Sequence, residues 1–128
     1  MIRHLSLEQV VSLHQSLIGH LSADPGVRDL AALEAAVARP TLTFEGEDLY
    51  PSIDAKAAAL LQALIAEAPF VTANQGTALL AAEVFLLANG RTLQAADKDL
   101  ERLIALVAAG QISTEAIAIW FAQRTGAR

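Results

Sequence analysis

Between Ala68 and Ala78 the chain reads A-P-F-V-T-A-N-Q-G-T-A. Pro69 interrupts one helical pattern and a second begins near Asn74 or Gln75, so the segment is a loop that runs into a helix N-terminus. Such a terminus offers backbone N–H groups without intrahelical partners and the positive end of the helix dipole, a seat suited to phosphate. Asn74, Gln75, Gly76 and Thr77 are the candidate phosphate-binding residues. The charged groups that phosphoryl chemistry needs are missing beside them. From Ala57 to Gly90 there is no Lys, Arg or His, while Glu67 and Glu83 add negative charge. Arg39, Lys56 and Arg91 flank this stretch and would have to approach through the fold. Phosphoryl transfer relies on metal and cationic clamps, and none is supplied locally.

The remaining polar groups have plainer uses. Asn74 reads first as the N-cap of the following helix and second as a phosphate ligand. Thr72 offers one neutral hydroxyl without a neighbouring carboxylate, which suits capping or solvent contact better than magnesium. His4, His14 and His20 fall in the first helix region. With no Cys and no carboxylate at metal spacing they read as surface or interface histidines, and no metal site is expected.

The loop has to be positioned by helices. Ser6 followed three residues later by Gln9 is a capping box, and Leu7, Val10, Val11, Leu13, Leu17 and Ile18 continue at helical spacing, predicting a helix over about Leu7 to His20. Asp24-Pro25-Gly26 signals a turn. Asp29 caps a short second helix closed by Pro40, since proline disfavours helix at the residue before it. Thr41 to Tyr50 breaks the helical period around Glu45-Gly46 and reads as a brief hairpin or extended flap. Ser52 or Asp54 opens a third helix that runs to about Glu67. The fourth, from Asn74 or Gln75 to Asn89-Gly90, is apolar almost all round and belongs at the centre of the fold. Asp97 is expected to cap a fifth helix and Ser113 a sixth.

These motifs occur in an order that resembles the Fic/Doc family, and its Doc (death-on-curing) branch in particular. The family signature H-x-F-x-[DE]-[AG]-N-[GK]-R, in Doc form close to H-P-F-x-D-G-N-K-R-T-A, is matched at Pro69, Phe70, Ala73, Asn74, Thr77 and Ala78. Leu13-His14, Gly26-Val27-Arg28-Asp29 with Leu33-Glu34, Ala38-Arg39-Pro40, the segment from Thr43 to Pro51, Glu83 to Gly90 and Ala108 to Ser113 extend the resemblance over most of the chain. What it implies is an all-α, compact six-helix bundle with a short β-hairpin or extended flap, and a loop in which a His deprotonates a target hydroxyl, an acid holds magnesium and Lys or Arg steadies nucleotide phosphates. Ala68 stands at the His position, Thr72 at the acid, Gln75 at the Lys and Gly76 at the Arg. Phe70 is the family's buried anchor under the loop. Thr41 to Gly46 also fits, formally, an inhibitory motif of some Fic enzymes. There the motif lies on a helix and its Glu meets the loop Arg, so the match in the flap reads as coincidence.

Composition narrows the function further. The 128 residues suit one domain, and 54% are hydrophobic with few aromatics, favouring close helix packing. A net charge of −5 with no basic cluster argues against nucleic-acid binding. There is no cysteine, no membrane-length apolar run and no signal-peptide start at Met1-Ile2-Arg3-His4, so a cytoplasmic location is expected. The sequence predicts a Doc-like toxin–antitoxin protein that has lost efficient ATP-dependent phosphate or AMP transfer and keeps a protein partner, antitoxin or target. In that reading no cofactor is expected, and Thr43, Phe44, Glu45 and Gly46 of the flap are candidates for partner binding. Two alternatives stay open. One is an active transferase using ATP, magnesium and non-standard residues on a translation-related protein; the other is a pure interaction module. Oligomeric state is not legible.

Overall fold

Local side-chain chemistry sets most of the helix starts. The computed structural model describes residues 1–21 and 26–127. Apart from Gly26, the turn expected at Asp24-Pro25-Gly26 therefore lies outside the described residues, as does the side chain of His20. Helix α1 spans Leu7–Leu21 and opens with the capping box: the Gln9 N–H donates to Ser6 Oγ, and the Ser6 N–H donates to the Gln9 side-chain oxygen. Asp29 caps α2 (Leu30–Ala38) by accepting from the Ala32 N–H, and Ser52 caps α3 (Ile53–Glu67) through the Ala55 N–H. Ser113 does the same for α6 (Thr114–Arg124) through Ala116. These four caps were legible because Ser and Asp compete for exposed backbone donors wherever a helix begins.

Two expected caps are corrected. Helix α4 spans Asn74–Ala88 and its N-cap is Ala73, which gives no side-chain bond; Asn74 is already inside the helix. Helix α5 covers Asp97–Ala108 with Ala96 as N-cap, so Asp97 sits in the first turn, where its charge complements the dipole without capping. Pro40 likewise acts differently from expectation. Arg39 stays in helical conformation before it, and the chain tightens into a short 3-10 turn over Arg39–Thr41.

The flap is a hairpin of two short strands, β1 (Thr43–Phe44) and β2 (Glu47–Asp48), with Thr43 opposite Asp48 and Phe44 opposite Glu47. Its turn places Glu45 at φ 53° and Gly46 at φ 82°, the two left-handed positions that a tight hairpin turn requires. A second small sheet pairs β3 (Arg91–Leu93) with β4 (Thr125–Ala127), antiparallel.

The hub of the bundle is α3. Ala57, Leu60, Leu61 and Leu64 are essentially inaccessible, and the helix packs against α2, α4 and α6 at once. Helix α4 packs against α3 and buries Ala78, Ala81, Ala82, Phe85 and Leu86. Its apolar character all round predicted a fully central helix, yet Leu79, Leu80 and Val84 are half-buried and Leu87 is 41% exposed. One face of α4 is therefore uncovered. Leu103 and Val107 of α5 and Ile117 and Phe121 of α6 close the same core.

Candidate functional site

The loop between α3 and α4 is bracketed by two alanines in left-handed conformation, Ala68 at φ 43°, ψ 58° and Ala73 at φ 60°, ψ 32°. An L-residue in this region is disfavoured by about 1–2 kcal/mol, so the surroundings must hold the shape. Three devices do so. The Arg28 guanidinium donates to the carbonyls of Glu67 (2.9 Å) and Ala68 (2.6 and 3.1 Å), capping the C-terminus of α3 with a cation. The backbone of residues 26–29 pairs with the loop, through Arg28 N–H to Pro69 O at 2.7 Å and Val71 N–H to Gly26 O at 3.0 Å. The Asn74 side chain then clasps Phe70 from the helix side, its Oδ1 accepting from the Phe70 N–H (2.9 Å) and its Nδ2 donating to the Phe70 carbonyl (3.0 Å). Asn74 is thus neither the cap nor a free phosphate ligand. Its two polar atoms are used by the loop itself.

Phe70 is buried as expected, and what lies on it was not expected. The His14 ring stacks on Phe70 at 3.8 Å and 6°, and it is inaccessible to solvent. Its Nε2 donates to the Thr72 carbonyl at 3.0 Å. That bond requires a proton on Nε2, and Nδ1 is buried with no hydrogen-bond partner among the described residues. The reading of His14 as a surface or interface residue is corrected: it is part of the floor of the loop. The signal was present, since Val10, His14 and Ile18 are spaced by one helical turn and all three are buried. His4 is solvent-exposed, as expected.

Of the four positions singled out in the loop, Ala68 caps α3, Thr72 supplies its carbonyl to His14, and Gln75 and Gly76 lie exposed in the first turn of α4. The Thr77 N–H closes on the Ala73 carbonyl at 3.0 Å, and the buried Thr77 hydroxyl has no hydrogen-bond partner among the described residues. The start of α4 therefore lacks a side-chain cap, and its positive dipole end faces the loop.

The three flanking cations lie elsewhere. Helix α3 has 15 residues, a length of roughly 22 Å, and the loop leaves from one end while the flap adjoins the other. Lys56, in the first turn of α3, is 2% exposed; its Nζ meets Asp48 Oδ2 at 3.1 Å and donates to the Tyr50 carbonyl. Arg91 pairs with Asp54 at 3.4 Å and donates to the Thr125 hydroxyl. Arg39 donates to the Tyr50 hydroxyl at 3.4 Å. His4 belongs to this end: the residue is exposed, but its ring lies against Phe85, and this partial desolvation together with the nearby Lys56 charge lowers its pKa, with Asp48 opposing. Phe44 of the flap is 67% exposed.

Two adjoining cavities run along the uncovered face of α4 and share Val84. One of about 320 Å³ is bordered by Leu5, Glu8 and Leu13 of the N-terminal region, the other of about 330 Å³ by Leu80, Glu83, Leu87, Arg91 and Leu93. Burial raises the Glu83 pKa above its ordinary value. Among the described residues no helix is long and apolar enough to cross a membrane.

Comparison with known proteins places this geometry. The model of the Fic/DOC family matches residues 4–86. "Toxin Doc" of Mycolicibacterium smegmatis (strain ATCC 700084 / mc(2)155) is 43% identical over 102 residues, covering 80% of this chain and 75% of that protein. "Protein kinase doc" of Escherichia phage P1 is 30% identical over 118 residues, 91% of both chains.

Proposed function

The chain belongs to the Doc branch of the Fic/Doc family, and on that premise we propose that it is a toxin–antitoxin-type protein that has given up efficient ATP-dependent transfer of phosphate or AMP and keeps binding to a protein partner. The observation that carries this reading is where the cations are. Lys56, Arg39 and Arg91 are committed to the flap end of α3, and Arg28, which reaches the loop, is committed to the carbonyls of Glu67 and Ala68. Ala68 offers no general base, a group that contributes roughly 10²–10⁴-fold where present. Magnesium fits the loop poorly, because Thr72 brings no carboxylate and its carbonyl is bonded to His14. Among the described residues no three His, Cys, Asp or Glu side chains gather to hold a metal.

Partner binding is supported by apolar surface. Phe44 at the flap and Leu87 on α4 are exposed, and the α4 groove joins apolar walls to the carboxylates of Glu8 and Glu83. That combination suits an apolar segment carrying basic residues, such as an antitoxin helix. Flap residues Thr43, Phe44, Glu45 and Gly46 remain candidates for a second contact.

One observation favours the alternative of residual transfer: α4 begins without a side-chain cap, so the N–H groups of Asn74, Gln75 and Gly76 face the loop. The phage relative is named a protein kinase, which keeps this reading in play. Incubation with labelled ATP and magnesium beside candidate acceptor proteins separates the two. No label should reach an acceptor, and calorimetry should give millimolar affinity or weaker, about −4 kcal/mol. A micromolar constant together with labelled acceptor overturns the proposal.

A further inference from the structure

Gly76 presents a question that its own backbone does not answer. Its φ is not in the left-handed region, unlike Gly46, Gly90 and Gly110, so nothing in its conformation calls for glycine. It is the third residue of α4, where alanine is ordinarily the better helix former. The reason lies on the facing helix. A Cβ placed at position 76 would stand 2.8 Å from Leu17 Cδ2, inside the normal separation of carbon atoms, and 4.0 Å from Leu17 Cγ, an ordinary contact.

Leu17 is half-buried, and the atom in the way is the far end of its flexible side chain, so it yields through that side chain alone. One turn earlier in α1, His14 is fixed against Phe70 and bonded to the Thr72 carbonyl, while Ile18 beside it is buried in the bundle. The α1 backbone is therefore held against the loop, and only the Leu17 side chain is free to turn outward, giving up its packing on α4. A side chain at position 76 and the isobutyl group of Leu17 compete for one volume.

We propose that Leu17 is the specificity-determining residue of the loop: it fixes position 76 as side-chain-free and so decides which groups the start of α4 can present to a ligand. This rests on the reading of the loop as a worn transfer site. Its consequence is that restoring charged side chains at 68, 72, 75 and 76 leaves one obstacle in place, a leucine one helix away that the loop motif does not contain.

The test is a cycle of Leu17→Ala, Gly76→Ala and the double variant, read by thermal denaturation. With Leu17 present, Gly76→Ala should lower Tm; on the Leu17→Ala background it should raise Tm, each shift about 2–4 °C. The same shift in sign and size on both backgrounds overturns the proposal. If Gly76→Ala proves too unstable to measure with Leu17 present but folds on the Leu17→Ala background, that difference is itself the coupling expected. A second arm compares Ala68→His/Thr72→Asp/Gln75→Lys/Gly76→Arg with and without Leu17→Ala, titrated with ATP and magnesium. Binding should tighten by at least about tenfold when Leu17 is shortened; equal measurable affinity counts against the proposal. Transfer of label by the unmodified chain would sink the function proposed above without touching the thermal cycle, so the two ideas fail separately.

Discussion

The two ends of the α3–α4 hairpin are secured by opposite means. At the flap end, charges meet, Lys56 with Asp48 and Arg91 with Asp54, and Arg39 donates to the Tyr50 hydroxyl. At the loop end, a stacked ring pair, an amide clasp and a run of backbone bonds hold the chain, and Arg28, whose guanidinium reaches it, binds carbonyls. Ion pairs define the flap end and neutral packing the loop end. This chain keeps its ion pairs where they secure architecture. The contrast teaches that a loop can be held in a well-ordered shape without ion pairs, by ring stacking, an amide clasp and backbone bonds.

Removing Lys56 should give the largest effect. Its side chain is 3% exposed and Asp48 is 53% exposed, so Lys56→Ala loses a buried stem and leaves the Tyr50 carbonyl without its donor, at a cost of about 3 kcal/mol in denaturant unfolding. Hydrogen exchange at Leu49, whose N–H donates to the Leu42 carbonyl, should speed up. A loss below about 1 kcal/mol would mean that the flap end does not depend on its charges.

His14 is the corresponding probe of the loop end. His14→Ala should cost about 2–3 kcal/mol, and His14→Phe, which keeps a ring on Phe70 and loses the bond to Thr72, about 1 kcal/mol. Equal losses for the two variants would show that the hydrogen bond, and not packing, holds the loop. Ala73→Gly should stabilise the protein by about 0.5–1 kcal/mol, since it relieves a left-handed alanine at the price of some unfolded-state entropy. Destabilisation would mean that the alanine methyl makes packing contacts that outweigh the strain.

The smallest effect tests the uncovered face between the two ends. The Glu83 pKa is raised from 4.5 by burial. An acid whose folded pKa exceeds its unfolded value loses stability as pH rises through the folded value and recovers it below the unfolded one. Glu83→Gln should therefore raise Tm slightly at neutral pH, with the gain vanishing below about pH 4. A constant gain across this range would assign the effect to something other than ionisation.

The capped starts of α1, α2, α3 and α6 were legible because each cap is a local bargain between a side chain and an N–H three residues on. The hairpin was legible from Glu45-Gly46 for the same reason. What escaped was non-local. Asn74 looks like a cap by type, but its partner is Phe70 on the loop side. The β3–β4 pair joins segments more than 30 residues apart, Arg91 opposite Ala127, with too few residues for alternation to show. The collision between Leu17 and position 76 depends on how α1 lies across α4, which no spacing rule encodes. In the candidate site the loop itself was legible from Pro69 and the helix pattern that follows it, while its supports were not: His14 and Arg28 do their work at long range.

Asn89 carries a consequence for chemical ageing. It precedes Gly90, a pairing that in flexible chains favours loss of the side-chain amide to give aspartate. Here the amide is engaged on every side: Oδ1 accepts from the Arg3 N–H, and Nδ2 donates to the carbonyls of Arg3 and Phe85. These bonds restrain the side chain from attack by the following N–H. Should the reaction occur, a carboxylate oxygen would replace the donor and confront two carbonyl oxygens, forcing the Arg3 backbone away from α4. The same clasp that slows the damage concentrates its effect on Arg3, leaving the start of the chain held by the packing of Ile2 and Leu5 on the core.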